Sequence, residues 1–156
     1  GRAGLELALE ECDLAAVARA VVDRIAGESK QAKAGLRLRA EPVPGRWDRQ
    51  RVDQVLTQLV SNALKFGAEQ PIDVVVAPAG ERARITVRDR GIGIAPEDQE
   101  RIFGRFERAA PSEHYGGLGL GLWIAAELVK AMGGTIRVES SPGHGAMFVV
   151  DLPRQR

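Results

Sequence analysis

Residues 55–66 read VLTQLVSNALKF and predict a helix with one apolar face. At about 100° per residue, Asn62 falls at the margin of that face beside Gln58, and Lys65 and Phe66 follow one turn later. An amide oxygen can ligate Mg²⁺, a lysine can neutralise phosphate charge, and an aromatic ring can lie against a base. The stretch therefore predicts a nucleotide-binding helix. The alternative is an amphipathic helix whose polar margin happens to hold Asn and Gln.

A second stretch, DRGIGI at residues 89–94, follows a strand-like run and has two glycines two residues apart. Such glycines permit a tight turn and a close approach of the backbone to a ligand. A carboxylate fixed at Asp89 can accept a hydrogen bond from an exocyclic amine such as that of adenine. The alternative is a strand-to-helix turn in which Asp89 bonds its own backbone. A dinucleotide-binding fingerprint would need a third glycine near position 96, where this sequence has Pro96.

A third stretch, GGLGLG at residues 116–121, leads directly into an apolar, helix-like segment. Backbone N–H groups exposed at the start of a helix form an anion site, and the helix dipole strengthens it. The stretch lacks the lysine and the hydroxyl of a P-loop, which excludes that class of NTPase. A flexible hinge is the alternative. The glycines favour a phosphate-binding turn.

The remaining hydrophobic pattern predicts strands that alternate with helices. The predicted strands are residues 5–10, 36–40, 72–77, 83–87, 135–139 and 147–152, and the predicted helices are residues 14–35, 49–66, 96–102 and 119–132. Asp13 and Asp48 are predicted N-caps. Residues 42–45, with two prolines and a glycine, are expected to break the pattern, and residues 104–117 to form a long loop. This order predicts an α/β sandwich, a mixed sheet with helices on one face.

The composition excludes several classes of protein. The chain has 156 residues, of which 44% are hydrophobic and 28% charged, as in a soluble globular domain. Its 22 basic and 21 acidic residues give a net charge of +1, which argues against a nucleic-acid groove binder. Cys12 is the one cysteine, so no internal disulfide is possible. No apolar run approaches the roughly 18 to 20 residues that span a bilayer, and no signal peptide opens the sequence.

Five segments, taken in order, resemble the sequence boxes of sensor histidine kinases. Residues 55–66 resemble the N box, and residues 89–94 resemble the first glycine box. Residues 102–108 resemble the phenylalanine box, residues 117–122 the second glycine box, and residues 145–153 the closing hairpin. One box is a modest signal, whereas five boxes in series with suitable spacing are a strong one. The resemblance covers essentially the whole chain.

This resemblance implies a Bergerat-type ATP-binding fold, which the family shares with type II topoisomerases, heat-shock 90 chaperones and mismatch-repair ATPases. In that fold three helices cover one face of a mixed, mostly antiparallel sheet, in an α/β (α+β) two-layer sandwich. The nucleotide lies between the N-box helix and a mobile lid, here about residues 103–117. The implied cofactors are ATP and Mg²⁺. We expect residues 1–156 to form a single ATP-binding catalytic domain.

The resemblance also assigns roles to individual residues by position. Asn62 would hold Mg²⁺, while Lys65 and Arg108 would bring positive charge to the phosphates. Phe66 would approach the base, and Asp89 would bind the adenine amine. The complete implied ATP-binding set is Gln58, Asn62, Lys65, Phe66, Asp89, Gly91, Gly93, Ile94, Phe103, Arg108, Gly117, Leu118, Gly119, Leu120, Gly121 and Phe148.

The sequence departs from the family pattern at three positions in these boxes or directly beside them. Gln58 stands where the family usually has Asn, Leu118 where Thr or Ser is frequent, and Gly67 where Thr is common. The change at Leu118 removes one possible hydroxyl contact to phosphate. The implied Mg²⁺ ligand, the adenine carboxylate and the glycines all remain.

The sequence contains no convincing phosphoacceptor for the implied reaction, which transfers the γ-phosphoryl group of ATP to a histidine on a separate helical hairpin. His114, in the presumed lid, and His144, in a hairpin turn, lack the flanking sequence of an acceptor and are interpreted as solvated loop residues. The fragment therefore also lacks a general base of its own. The implied partners are the histidine-bearing dimerisation hairpin of the same kinase and, downstream, a response-regulator receiver domain.

We expect a cytoplasmic location and no nucleic-acid partner, and the sequence leaves open a tether to the membrane through preceding regions. Two alternative functions also stay open. One is a non-catalytic nucleotide-binding regulatory module. The other is a Bergerat-fold serine kinase that acts on an anti-sigma-antagonist.

Overall fold

The computed structural model describes residues 6–104 and 121–154. The strands are β1 (Glu10–Asp13), β2 (Leu36–Ala40), β3 (Pro44–Trp47), β4 (Ile72–Ala79), β5 (Arg82–Asp89), β6 (Thr135–Ser140) and β7 (Ala146–Pro153). The helices are α1 (Leu14–Ala26), α2 (Lys30–Gly35), α3 (Arg49–Phe66) and α4 (Gly121–Ala131). Two 3₁₀ turns cover Pro96–Asp98 and Arg101–Phe103. None of the described helices is both long and apolar enough to cross a bilayer.

Five of the strands form one sheet in the order β2-β4-β5-β7-β6. Strands β2 and β4 are parallel, since the chain crosses from one to the other through α3. The other neighbouring strands are antiparallel, and the β4–β5 and β6–β7 pairs are hairpins. The expected mixed, mostly antiparallel sheet is confirmed.

One face of this sheet is covered by the long helices α1, α3 and α4. Alternate residues of β4 and β5, such as Val74 and Ile85, are buried on that face. Helix α3 packs against α1, α4 and β5, and its Leu56 and Leu59 are completely buried. The short α2 packs beside α1. The expected two-layer α/β sandwich is therefore confirmed, and burial of the apolar stripe fixes which side of α3 meets the sheet.

The opposite face of the sheet carries charged side chains in cross-strand ion pairs. Arg84 of β5 donates two hydrogen bonds to Asp151 of β7, at 2.8 and 3.1 Å. Arg37 of β2 donates two to Asp73 of β4, at 2.9 and 3.3 Å. These are bidentate contacts, in which the planar guanidinium matches both carboxylate oxygens. The two pairs resemble each other in geometry and lie at different places on the same face.

Strands β1 and β3 form a separate two-stranded antiparallel sheet, and each runs directly into a helix. Asp13 caps α1 by accepting the Ala15 N–H at 3.0 Å, and it also accepts the N–H of Val43 at 2.8 Å. Asp48 caps α3 by accepting the Arg51 N–H at 3.1 Å, and it also accepts the N–H of Ala8 at 2.9 Å. Each cap therefore holds the segment that leads into the other strand.

The N-terminal strand lies further along the chain than the predicted residues 5–10. Leu7 and Leu9 are half-buried between exposed neighbours, in agreement with the predicted alternation. The ladder nevertheless begins at Glu10, because its partner β3 pairs only from Glu10 to Asp13. The strand β3 was not predicted, since the Pro44 that opens it has no N–H and was interpreted as a break.

Two helix predictions were also wrong in detail. The predicted helix at residues 14–35 is divided, because Gly27 closes α1 and Ser29 caps α2 by accepting the Ala32 N–H at 3.0 Å. The predicted short helix at residues 96–102 is instead the pair of 3₁₀ turns. The predicted loop at residues 104–117 lies outside the described residues except for Gly104.

Candidate nucleotide site

The C-terminal part of α3 carries a buried amide side chain. Asn62 is 5% exposed, and it lies on the helix between the buried Leu59 and Phe66. Neither Oδ1 nor Nδ2 of Asn62 has a hydrogen-bond partner in the described part of the chain. Burying an amide without partners costs free energy, so native proteins rarely leave one in this state without a reason. An unpaired amide of this kind is suited to a polar ligand or a hydrated cation.

The end of α3 brings together a lysine and a buried aromatic ring. Lys65 is exposed, and its Nζ lies 5.4 Å from the centroid of the Phe66 ring, within cation–π range. The Phe66 ring belongs to the hydrophobic core. The Phe66 carbonyl accepts the N–H of Ile92 at 3.4 Å, which joins the helix end to residues 89–94. Lys65 is thus the exposed positive charge at this end of the helix.

Residues 89–94, here called the pocket loop, begin with a buried carboxylate at the end of β5. Asp89 is 1% exposed, and its Oδ1 accepts the N–H of Gly91 at 2.9 Å. Its Oδ2 is buried and has no partner among the described residues. Burial raises the pKa of Asp89, and backbone hydrogen bonds from Gly91 and Ala146 offset only part of that increase. The hydrogen bond at Oδ1 therefore orients the carboxylate and leaves Oδ2 free for another donor.

Two glycines let the pocket loop approach its neighbours closely. A side chain at Gly91 would overlap the Phe66 carbonyl oxygen and lie 2.7 Å from the Cα of Gly67. Gly93 has a φ of +76°, and a side chain there would overlap the carbonyl oxygen of Ser141. The loop thus packs directly against the end of α3 and against the turn after β6. The role of Gly91 and Gly93 as the floor of a nucleotide pocket stays a prediction.

Three residues fasten the end of the pocket loop to β6. The buried Ile94 donates its N–H to Oγ of Ser140 at 2.8 Å. The Gln99 side chain donates from Nε2 to the carbonyls of Ile94 and Ser140, both at 2.9 Å. Sequence reasoning included Ile94 but missed Gln99 and Ser140, because neither belongs to a motif and 41 residues separate them.

Two aromatic side chains of the predicted set meet beyond the loop. The rings of Phe103 and Phe148 lie edge to face, with centroids 5.9 Å apart and planes at 87°. Phe148 of β7 is 1% exposed, whereas Phe103 is half-buried. An edge-to-face pair contributes roughly 0.5–1.5 kcal/mol beyond the area it buries. The pair therefore holds the second 3₁₀ turn against the sheet.

The start of α4 lies against Gln58 of α3. A side chain at Gly121 would overlap Oε1 of Gln58, so that amide lies directly on the glycine. A larger residue at position 121 would have to displace the flexible end of the Gln58 side chain. The structure thereby brings Gln58 and Gly121 together. Arg108, Gly117, Leu118, Gly119 and Leu120 lie outside the described residues, as does His114.

Arg90, inside the pocket loop, was not singled out from the sequence. Its Nη1 donates to the carbonyl of Pro71 at 2.9 Å, and its Nη2 donates to Asp73 at 2.7 Å. The sequence shows a charged residue between Asp89 and Gly91, but it does not show that this residue contacts Asp73. His144 was expected in a solvated turn, and the structure places it there, exposed and with Nδ1 3.1 Å from the Pro142 carbonyl oxygen.

The polar residues of this region fit a hydrated cation better than a closed protein cage. No group of three or more His, Cys, Asp or Glu side chains within residues 6–104 and 121–154 could hold a metal ion. Mg²⁺ commonly keeps several waters and takes one or two protein ligands together with substrate phosphates. The buried, unpaired Oδ1 of Asn62 is compatible with that mode.

The chain is similar in sequence to a known family and to several sensor kinases. Residues 47–156 match the family described as histidine kinase-, DNA gyrase B-, and HSP90-like ATPase. The sensor histidine kinase MtrB of Mycolicibacterium paratuberculosis is 32% identical over 155 residues, which are 97% of this chain and 27% of MtrB. The sensor-like histidine kinase SenX3 of Mycobacterium bovis is 46% identical over 101 residues, which are 63% of this chain and 25% of SenX3.

A solved structure extends the similarity to the fold. Full-length ShkA, crystallised in complex with AMPPNP, is 31% identical to this chain with a TM-score of 0.83. The match covers 99% of this chain and 33% of ShkA. The chain thus spans about a quarter to a third of the length of these proteins.

Proposed function

The chain belongs to the histidine kinase-, DNA gyrase B- and HSP90-like ATPase family, and we propose that it is the ATP-binding catalytic domain of a sensor histidine kinase. In this proposal the domain binds ATP with Mg²⁺ and transfers the γ-phosphoryl group to a histidine on a helical hairpin of the same kinase. A response-regulator receiver domain accepts the group afterwards. The alternatives of a regulatory module and a serine kinase are not favoured, because the similar proteins named above are histidine kinases.

The observation that carries the proposal is the presence of two buried and incompletely paired polar side chains on adjoining elements. Asn62 lies at the end of α3 and Asp89 at the end of β5, and both leave buried polar atoms without partners in the described structure. The elements that hold them touch, since a side chain at Gly67 would lie 3.4 Å from Cβ of Asp89. A bound nucleotide would supply the missing partners and remove the cost of their burial.

The chemistry of each group suits a different part of the nucleotide. Asp89 offers a carboxylate oxygen to the exocyclic amine of adenine, which guanine does not present in the same position. Asn62 offers an amide oxygen to Mg²⁺, and the positive charge of Lys65 favours phosphates nearby. The backbone amides near Gly119 and Gly121, with Arg108, would complete the phosphate contacts. Bound Mg²⁺ would neutralise the charge of the phosphates during transfer.

The binding step has a direct test by calorimetric titration of the chain with ATP in the presence of Mg²⁺. We expect saturable binding, and we expect Asp89→Asn to weaken it about ten- to a hundred-fold, because a charged hydrogen bond contributes roughly 1.5–3 kcal/mol. Asp151→Asn makes the same chemical change on the opposite face of the sheet and should leave the affinity unchanged. Absence of heat with the unmodified chain, or an equal loss in both variants, would refute the proposed site.

A further inference from the structure

Asp73 joins the edge of the sheet to the pocket loop. Its Oδ1 accepts a hydrogen bond from Nε of Arg37 at 2.9 Å, and its Oδ2 accepts from Nη2 of the same arginine at 3.3 Å. Oδ2 also accepts from Nη2 of Arg90 at 2.7 Å, the shortest of the three contacts. One carboxylate on β4 therefore binds two guanidinium groups, one from the edge strand β2 and one from the pocket loop.

The side chain of Arg90 spans two anchoring points. One of its terminal nitrogens binds Asp73, and the other donates to the carbonyl of Pro71 at 2.9 Å, just before β4. Both acceptors belong to the chain around the start of β4, whereas Arg90 itself follows β5. A planar fork with two fixed acceptors restrains the arginine far more than a single contact would. The backbone at Arg90 is thereby held against the neighbouring strand.

This restraint acts next to the buried carboxylate of the site. Arg90 follows Asp89 directly, and Gly91, the next residue, donates the N–H that orients Asp89 Oδ1. On the inner side, the loop is limited by close backbone contacts of Gly91 and Gly93 with α3 and the turn after β6. On the outer side, the Arg90 guanidinium is tied to Asp73 and Pro71. The free Oδ2 of Asp89 is thus located by contacts from both faces of the sheet.

We propose that Asp73 and Arg90 are positioning residues for base recognition, which hold the pocket loop so that Asp89 meets the exocyclic amine of adenine. The proposal rests on the proposed function, since it presumes that a nucleotide occupies the site. Neither residue contacts the nucleotide in this proposal. Their effect is on the geometry of Asp89, and a bond to an exocyclic amine depends on that geometry more than phosphate contacts do.

The outer face of the sheet offers a matched control for this network. Asp151 accepts two hydrogen bonds from Arg84 at 2.8 and 3.1 Å, so on a neighbouring pair of strands it matches the contact of Asp73 with Arg37 and lacks a counterpart of Arg90. Its side chain is 16% exposed, compared with 28% for Asp73, so both carboxylates are partly screened by water. Asp151 makes no contact with the pocket loop in the described hydrogen bonds. A purely structural ion pair should therefore behave alike at both places.

The test compares ADP with purine riboside diphosphate, which lacks the exocyclic amine, both with Mg²⁺ and by calorimetry. The Kd for purine riboside diphosphate divided by the Kd for ADP measures how much binding depends on the exocyclic amine. We expect Asp73→Asn and Arg90→Gln to reduce that ratio about two- to five-fold, which corresponds to the strength of partly exposed ion pairs. Asp151→Asn should leave the ratio unchanged, and Arg90→Lys, which keeps the charge but not the fork, should fall between.

Amide exchange of the nucleotide-free protein provides a second measurement on the same variants. We expect faster exchange across residues 90–94 in Asp73→Asn and Arg90→Gln, and no such change in Asp151→Asn. If the unmodified chain binds ADP and the ratio stays the same in both pocket-side variants, the positioning role is refuted while the proposed function stands. If the unmodified chain does not bind ADP, the proposed function fails and this inference fails with it.

Discussion

The pKa values of two aspartates on neighbouring strands are shifted in opposite directions. Burial raises the pKa of Asp89 above the ordinary value of 3.8, because backbone hydrogen bonds do not fully replace the lost water. Burial by itself would raise the pKa of Asp73 as well. The hydrogen bonds and charges of Arg37 and Arg90 outweigh this effect, so the pKa of Asp73 lies below 3.8. Ionisation of Asp89 thus weakens the fold at neutral pH, whereas ionisation of Asp73 strengthens it.

These opposite signs predict opposite effects of the same substitution. Asp89→Asn should raise the Tm of the nucleotide-free protein at neutral pH, because a neutral amide escapes the cost of a buried charge. The gain should disappear on acidification through the raised pKa of Asp89, where the parent carboxyl is itself protonated. Thermal unfolding measured from about pH 7 to about pH 3 would show this.

Asp73→Asn provides the opposite control in that experiment. It should lower the Tm at neutral pH, and its deficit should persist until the pH falls through the lowered pKa of Asp73. A neutral-pH Tm for Asp89→Asn at or below that of the parent would contradict the assignment. That result would mean that Asp89 is held in the site for structural reasons.

The candidate site could be predicted from the sequence where one residue suffices to carry the chemistry. Asn62 and Asp89 were both identified, and both are buried with unpaired atoms. Arg90 and Asp73 were missed because their role depends on a contact between two residues that are 17 positions apart in the sequence. The Phe66 ring, predicted to approach a base, lies in the hydrophobic core, and its approach to a nucleotide stays a prediction.

Among the elements, the two capping aspartates combine two tasks that a helix cap usually does not share. Asp13 and Asp48 each satisfy an N–H in the first turn of a helix and an N–H of a distant segment. The distant segments are those of Val43 and Ala8, so the caps cross-link β1 and β3 at both ends. Ser29, by contrast, caps α2 through one hydrogen bond to Ala32.

The double role predicts a larger cost for removing either aspartate than for removing Ser29. Asp13→Ala should destabilise the protein by about 2–3 kcal/mol, because a lost cap costs about 1 kcal/mol and the unsatisfied N–H of the buried Val43 adds about 1–2 kcal/mol. Asp48→Ala should cost about 1–2 kcal/mol, because Ala8 is exposed and water can partly replace the lost partner of its N–H. Ser29→Ala should cost only about 0.5–1 kcal/mol. Urea unfolding at constant pH measures all three. If Asp48→Ala lowered the free energy of unfolding no more than Ser29→Ala does, the contact of Asp48 with Ala8 would contribute nothing to stability.

Most elements could be predicted from periodicity, and those that could not depend on contacts with another part of the chain. The strand at residues 36–40 follows from alternation and the strand at residues 72–77 from its strand-like run, and the structure has them as β2 and β4. Strand β3 could not be predicted, because Pro44 and Gly45 have low strand propensity and only pairing with β1 makes them a strand. The break between α1 and α2 depends on Ser29, which can cap a helix or lie within one.

At the scale of the whole molecule, the chain corresponds to only part of the kinases it resembles. It covers 27% of MtrB and 33% of ShkA. His144, the histidine within the described residues, is exposed in a turn, where its Nδ1 faces the Pro142 carbonyl oxygen instead of an acidic side chain. In the proposed function the acceptor imidazole belongs to the separate helical hairpin of the kinase.

This arrangement predicts that the chain binds nucleotide yet turns it over very slowly by itself. Bringing the acceptor into line can contribute about 7 kcal/mol or more through proximity, so its absence should outweigh other defects. Addition of the kinase's own histidine hairpin in trans should produce acid-labile phosphorylation of that hairpin. Asn62→Asp and Lys65→Ala should reduce the transfer, which is measured with γ-labelled ATP, and Asp151→Asn should not. Tight Mg-ATP binding without any transfer to the native hairpin would favour a non-catalytic module.

The crossed caps also have a mechanical consequence. Helix α3 has 18 residues, so it is a rod about 27 Å long at 1.5 Å per residue. Its base is fastened at Asp48 to the backbone of Ala8, and Asn62 lies about 21 Å along the rod. A hydrogen-bonded helix is stiff along its axis, so its two ends move as one body. The segment that leads into β1 and the buried amide of Asn62 are thus attached to the two ends of the same rigid helix.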